Sequence, residues 1–308
     1  VLLGCFPISF LIWGQWQFRG AATDSFRRWM WFLFAVVMLL FSAISTKIVH
    51  YSSMSYLPLS YLAADYLWRW HRSEKVLPKG LYWALGLYGS LIGLIITLVP
   101  LIAHQADAWL RPWLSDPLAI DALDMAVPWT GWEGLTGLLY MAILWWSLAR
   151  LRAKDLMPFA WGQALGLSLM LLTLAGFILP KVEKYSQGPA ITFYRQLAGQ
   201  DVYVWPLKHK SYAHYFYAKT QPLSEENGLY EAQQQTLKKL DVQSFSELNQ
   251  EQRVLYRGHL QNWLITGEID KPAYFVIKSD KYDPAAYPTL EVVMKEGAFI
   301  GLRRLPLR

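Results

Sequence analysis

Apolar residues in the first part of the chain come in runs separated by short polar stretches, the pattern of consecutive membrane spans. The runs are Val1–Trp16, Trp29–Ser45, Tyr56–Trp68, Leu81–Ala103, Leu135–Leu148 and Phe159–Pro180. Leu81–Ala103 and Phe159–Leu179 carry no charge and reach the length of about 20 residues that a helix needs to cross a bilayer. The third run is short and contains Asp65, which makes it the least span-like of the six.

From about Ser186 the periodicity changes. Pro189–Leu197 reads as a short helix closed by Gly199, and Asp201–Pro206 as a strand in which Val202 and Val204 alternate with Tyr203 and Trp205. Ser211–Ala218 reads as a helix whose first turn is capped by the Ser211 hydroxyl. Leu229–Leu240 and Ser246–His259 are polar and helix-prone. Ala273–Lys278 is a strand, and Leu290–Lys295 with Ala298–Arg303 form a hairpin turning at Glu296-Gly297. The expected architecture is therefore a multi-span α-helical membrane protein, with about six spans in residues 1–185, followed by a small α/β domain in residues 186–308.

Charge placement orients the chain. Gln17–Arg28 carries Arg19, Arg27 and Arg28 against Asp24. Arg69–Gly80 carries Arg69, Arg72, Lys75 and Lys79 against Glu74, and Arg150–Pro158 carries Arg150, Arg152 and Lys154 against Asp155. These are alternate loops, and the positive-inside rule makes their side cytoplasmic. The intervening loops differ: Thr46–Ser55 has Lys47 alone, and His104–Gly134 has only Arg111 against Asp107, Asp116, Asp121, Asp124 and Glu133. The α/β domain is then expected outside the cell's inner membrane, in the periplasm.

This placement also accounts for the net charge of +6. The cations sit where topology needs them, and no aromatic-interleaved basic stripe is present, so a nucleic-acid partner is not expected. Aromatic residues make up 16% of the chain, including 16 Trp, which suits interfacial anchoring. Four of these Trp (Trp109, Trp113, Trp129 and Trp132) lie in His104–Gly134. That loop reads either as a segment lying along the headgroups or as the lining of an entrance for lipid or sugar. Cys5 is the lone cysteine, which excludes a disulfide framework and a Cys-based zinc site. The chain opens Val1-Leu2-Leu3-Gly4, without initiator Met or charged leader, and is read as truncated at its amino terminus.

The segment Thr46-Lys47-Ile48-Val49-His50-Tyr51-Ser52-Ser53-Met54-Ser55-Tyr56-Leu57-Pro58-Leu59 gathers an ammonium, an imidazole, phenols and hydroxyls at the external membrane boundary. Such a place attracts an anionic headgroup: Lys supplies charge, Tyr and Ser supply directional donors. A snorkelling Lys with an aromatic belt is the ordinary alternative.

Lys47-Ile48-Val49-His50-Tyr51, followed by Tyr56-Leu57-Pro58-Leu59, resembles a loop-to-helix motif of one branch of the GT-C glycosyltransferases. That branch includes the aminoarabinose transferases that modify lipid A and the protein O-mannosyltransferases. The opening Gly4-Cys5-Phe6-Pro7 is similar to the Gly-x-x-Pro start of an earlier span in that branch. The resemblance implies that Lys47 and Tyr51 contact the phosphate of a polyprenyl carrier, with His50 in the same shell. It further implies a carrier-linked sugar donor, a lipid, glycan or protein acceptor, and a divalent metal ion. The branch keeps its catalytic acidic pair in the first external loop, and these residues contain no equivalent. This chain alone is therefore expected to be inactive.

Other candidates have ordinary explanations. Asp65 and Arg69 are four apart and pair on one helix face. Asp116, Asp121 and Asp124 could ligate a metal or sugar hydroxyls, or be solvated loop acids. His209 and His214 flank a Tyr-rich helix and lack a third zinc ligand at suitable spacing. A glycine-rich phosphate loop and a nucleophile elbow are missing, which disfavours a nucleotide-sugar donor. Two function classes follow. The first is lipid-carrier-dependent glycosyl transfer; the second is a non-enzymatic, membrane-anchored module for envelope binding or assembly. A transporter is disfavoured by the lack of paired intramembrane charges and broken-helix repeats.

Overall fold

A computed structural model describes residues 4–12, 23–43, 53–72, 77–220 and 227–306. They form two compact units. The first comprises Val1–Ala103 and Thr130–Ile178, and the second comprises His104–Trp129 and Leu179–Arg308. The boundary read from the sequence at 185/186 thus falls at 178/179, and the acidic loop belongs with the α/β unit rather than with the spans.

The first unit is helical: α1 (Ile8–Leu11), α2 (Thr23–Ala43), α3 (Tyr56–His71), α4 (Lys79–His104), α7 (Leu135–Arg152) and α8 (Leu156–Thr173). The helices α5 (Ala106–Trp109) and α6 (Pro117–Leu123) fall in the second unit. Among the described residues four helical stretches are long and apolar enough to cross a membrane: Ser25–Ala43, Lys79–His104, Trp132–Arg152 and Leu156–Ser186. α3 is not among them. Its 16 residues reach about 24 Å, short of the roughly 30 Å of a hydrocarbon core. It is a core helix: Leu59, Leu62, Ala63, Tyr66 and Trp70 are buried with Phe6, Leu11, Leu85, Leu144 and Leu148.

Outside this core the apolar stripe is turned outward. Phe32, Leu39, Leu87, Leu91, Leu165 and Leu172 are all exposed. So large an apolar surface would be costly in water and suits hydrocarbon. The packing between helices follows from the same fact. Where lipid removes the hydrophobic drive, helices associate through small residues that let backbones meet. Gly86, Gly89 and Gly93 of α4 face α7, and a Cβ on Gly137 would strike the Gly93 carbonyl and Thr97. Trp145 donates its Nε1–H to Ser90 Oγ at 2.9 Å. Between α7 and α8, Gln163 donates to Ser147 Oγ, and Gly162 and Gly166 make room for Ser147 and Ile143.

α8 runs into a π-helical turn at Leu174–Ile178, followed by α9 (Leu179–Ser186). Pro180 explains the turn. It has no N–H for the carbonyl four residues back, that of Gly176, and its ring would crowd that group in a regular helix.

The second unit is an α/β fold. Its sheet has the order β1-β2-β4-β3, with β1 (Tyr203–Pro206) parallel to β2 (Ala273–Lys278). β4 (Phe299–Arg304) is antiparallel to both β2 and β3 (Glu291–Glu296), with a bulge in β3 between Val292 and Met294. Period-two alternation sends Ala273, Phe275, Ile277, Ile300 and Leu302 to one face, under α12 (Gly228–Lys239) and α13 (Gln250–Thr266). Val204, Val276 and Phe299 face the other way, toward α10 (Gly188–Gln196) and α11 (Ala213–Tyr217). The hairpin turns at Gly297, whose φ of 50° a side chain would strain.

Two polar ties lock the helices to the sheet. The buried Arg304 guanidinium donates to Leu264 O at 3.0 Å and Gly267 O at 2.5 Å, satisfying carbonyls at the end of α13. Tyr203 donates to Asp270 at 2.8 Å and accepts from the Leu229 amide at the start of α12. Trp129 departs from the interfacial reading of its loop. It is buried, donates to Tyr185 at 2.9 Å, and lies under the Lys181 ammonium. Trp109, Trp113 and Trp132 remain exposed, as a headgroup-facing ring would be.

The contact between α4 and α7 can be tested directly. Gly137→Ala in the full chain should cost about 1–3 kcal/mol of stability in detergent, because backbone cannot yield to the new methyl. Gly80→Ala on α4, where the added Cβ meets open space, should be neutral or slightly stabilising. Equal unfolding midpoints for the two variants would contradict the close approach.

Candidate functional site

Lys47, His50 and Tyr51 lie outside the described residues. The chain that follows them is described. Ser53–Ser55 forms a 3-10 turn, and α3 starts at Tyr56 with Pro58 in its first turn, where a missing N–H removes no helical bond. Pro58 and Leu59 are buried, so the start of the helix is anchored in the core.

The chain preceding the segment is tied to the same helix. Arg27 of α2 donates to Asp65 of α3 at 2.9 Å, and Arg69 reaches the other oxygen of that carboxylate at 3.2 Å. Arg27 is buried and Asp65 nearly so. The pairing of Asp65 with Arg69 expected from their spacing is present. Arg27, read from the sequence as a loop cation, joins it from the first turns of α2. Phe26 meets Tyr61 edge-on beside this cluster.

The acidic loop in the second unit is more ordered than a solvated stretch. Asp116 caps α6, accepting from the Leu118 amide at 3.0 Å. Asp124 ends the helix in an exposed ion pair with Arg111 at 2.6 Å. Asp121 lies between them, on α6 itself. Two of the three acids therefore have local structural partners, and among the described residues no three His, Cys, Asp or Glu side chains gather as a metal cluster.

The α/β unit contains a cleft of about 390 Å³ that the sequence reading did not pick out. β1 and the loop after it supply Trp205, Lys208, His209 and Lys210, α11 supplies His214 and Tyr215, and α13 supplies Arg257 and Gln261. The backbone at Lys208 has a φ of 53°, which turns the chain sharply out of the strand. The Ser211 hydroxyl accepts from the Ala213 amide at 3.2 Å, starting α11. Tyr212 and Tyr215 stand as exposed, nearly parallel rings with centroids 6.5 Å apart.

Electrostatics at the cleft are one-sided. Arg257 and then Lys210, beside the Tyr212 hydroxyl, hold that phenol below its usual range. The Lys210 ammonium also sits 5.6 Å over the Tyr212 ring. Among the described residues no carboxylate lines the cleft. Burial, with smaller contributions from Lys278 and Lys281, keeps the His209 imidazole low, and its Nδ1 lies 2.9 Å from Leu207 O. His214 is only 3% exposed, and its Nδ1 has no hydrogen-bond partner among the described residues. Burial, then the neighbouring His209, lowers its pKa from 6.5 to about 4.

The partial signal in the sequence was the run Lys208-His209-Lys210 ahead of a Tyr-rich helix. Arg257, the other half of the cleft, is remote in sequence and only the packing of α13 brings it there.

No protein-family model and no curated protein matches the sequence. Two solved structures are similar to it. One is ArnT from Cupriavidus metallidurans in the apo state, at 13% identity and a TM-score of 0.48, covering 98% of this chain and 52% of that one. The other is the same protein bound to undecaprenyl phosphate, at 14% identity and a TM-score of 0.48, covering 97% of this chain and 49% of that one. The chain spans about half the length of each.

His214 makes stability pH-dependent. The unfolded chain binds a proton near pH 6.5 that the folded unit refuses until about pH 4, so stability falls as pH drops through that window. His214→Gln should flatten the fall by up to about 3 kcal/mol, read from unfolding of the full chain in detergent at pH 7 and pH 4. An unchanged pH slope would show that this imidazole does not carry the effect.

Proposed function

We propose that the chain is part of a polyprenyl-phosphate-sugar-dependent glycosyltransferase of the inner membrane, transferring a sugar to a periplasmic lipid, glycan or protein acceptor. The observation that carries this reading is the Lys47–Leu59 segment: a cation and a phenol four residues apart, then a Pro-containing helix start at the external end of two helices. The structure supports it locally. α3 begins where the motif has its helix, with Pro58 buried in the first turn, and the Arg27–Asp65–Arg69 cluster binds α2 to α3 on either side of the segment.

In this reading the apolar faces hold the isoprenoid tail. An acceptor oxygen attacks the anomeric carbon as the bond from that carbon to the phosphate oxygen breaks, inverting the centre. Charge accumulates on the departing phosphate. The Lys47 ammonium, the Tyr51 hydroxyl and, beside them, His50 stabilise that charge more than they stabilise the intact donor, which is what lowers a barrier. A divalent metal would add to the same stabilisation. The α/β unit selects the acceptor.

Lys47→Ala combined with Tyr51→Phe, in the full-length transferase in its native membrane, should weaken polyprenyl-phosphate binding and slow transfer by tenfold or more each, the range expected for lost charge-assisted donors. The measurements are binding of radiolabelled undecaprenyl phosphate and transfer of labelled sugar. If both are unchanged, these residues do not hold the phosphate. If binding falls but the full-length protein shows no transfer in any form, the chain belongs to a lipid-binding module instead.

A further inference from the structure

We propose that the cleft between β1, α11 and α13 binds a phosphorylated saccharide, with the phosphate on Lys210 and Arg257 and the sugar ring against Trp205, Tyr212 and Tyr215. The site lies wholly within the α/β unit. It is separate from the carrier-phosphate assignment to Lys47 and Tyr51 and does not depend on it.

The anion preference follows from charge. Lys210 comes from the loop after β1 and Arg257 from α13, yet both cations converge on one phenol, and among the described residues no carboxylate lines the cleft to neutralise them. Two like charges brought together without a counter-charge repel, and a ligand carrying two negative charges removes that repulsion. Arg adds a planar fork matched to phosphate oxygens. The nearby Lys278 and Lys281, felt at His209, extend the positive field to one side of the cleft.

The ring follows from size and lining. About 390 Å³ falls within the range of small-molecule pockets and is far more than a free phosphate ion needs. Its walls are aromatic. Tyr212 and Tyr215 are each more than half exposed, although aromatic rings of this size ordinarily bury their faces. Flat apolar faces beside polar edges suit a sugar, which has C–H faces and hydroxyl rims. His214 also lines the cleft, but its Nδ1 is closed off from it, so the polar contacts of a bound sugar fall to Ser211, Gln261 and the tyrosine hydroxyls at the rim. Tyr212, held between two cations, offers a strengthened donor at the mouth.

The test is titration calorimetry on the full chain in detergent, with glucose 1-phosphate, glucose, inorganic phosphate and adenosine monophosphate as probes. Glucose 1-phosphate should bind saturably, at least tenfold more tightly than glucose or inorganic phosphate, and more weakly as salt is raised. Lys210→Gln with Arg257→Gln should weaken it at least tenfold. Both side chains are exposed, so the fold should tolerate their loss. Tyr215→Ala should weaken glucose 1-phosphate but leave inorganic phosphate unchanged. Absence of saturable binding at millimolar sugar phosphate overturns the proposal, as does affinity indifferent to the double variant. Inorganic phosphate binding as tightly as the sugar phosphate overturns the saccharide assignment. Tighter adenosine monophosphate binding makes the site one for nucleotides. None of these outcomes depends on transferase activity, so the proposed function stands or falls separately.

Discussion

The Asp65 carboxylate, held in a mostly apolar interior between Arg27 and Arg69, is the interaction on which the candidate carrier site rests. A charge there has little water to rely on, so it is tolerated only where partners satisfy it. Removing either guanidinium would leave a nearly buried charge without full compensation. The pair therefore acts as a registration device, since only one sliding position of α2 against α3 brings Arg27 to Asp65. The Lys47–Tyr51 segment lies in sequence between these two helices. Its ends at Ala43 and Ser53 are consequently placed by an electrostatic constraint set further along both helices.

The two units solve different packing problems. In the helical unit large apolar side chains cover the outer surface as well as filling the core, and small residues sit where helices meet. Gly86, Gly89 and Gly93 of α4 meet α7 where backbones touch, and specificity comes from Trp145–Ser90 and Gln163–Ser147 hydrogen bonds. In the α/β unit the large residues face in. Phe275 and Leu302 are fully buried, and polar ties such as Arg304 to the end of α13 sit at the margins. One chain thus reverses its outer surface from apolar to mostly polar at about Ile178, next to the π turn that accompanies Pro180.

That reversal explains what could be read from the residues alone. The strands β2 and β4 were visible because period-two alternation is local, and the turn at Glu296-Gly297 because its backbone demands glycine. The helices α10 and α12 emerged within a residue or two. α13 began later than expected, at the Asn249–Gln252 capping box, because polar residues before it resembled helix formers. α3 was hard to place for a physical reason: a short helix with one face buried in a core and a short span share the same apolar composition. Trp129 reads as interfacial until its partner Tyr185, far along the chain, is seen beneath it. The sequence-based candidates that carry the proposed function fall outside the described residues, and of the three candidate acids of the 104–134 loop Asp116 and Asp124 have local capping and pairing partners.

The cleft was illegible for the deepest reason. A phosphate or sugar site made by one loop leaves a motif, whereas this one is assembled from the 205–215 stretch and a single turn of α13. Its logic, a cation set beside a phenol, is the one proposed for Lys47 and Tyr51 from their sequence. The pairing has a physical basis. A neighbouring positive charge lowers the cost of drawing the phenolic proton toward an acceptor, so the hydroxyl becomes a better donor while the cation supplies the long-range attraction. Charge alone would hold an anion without orienting it, and a phenol alone would orient it without much affinity. At Tyr212 two cations act on one hydroxyl. The electrostatic bias there is thus stronger than a lone Lys could provide.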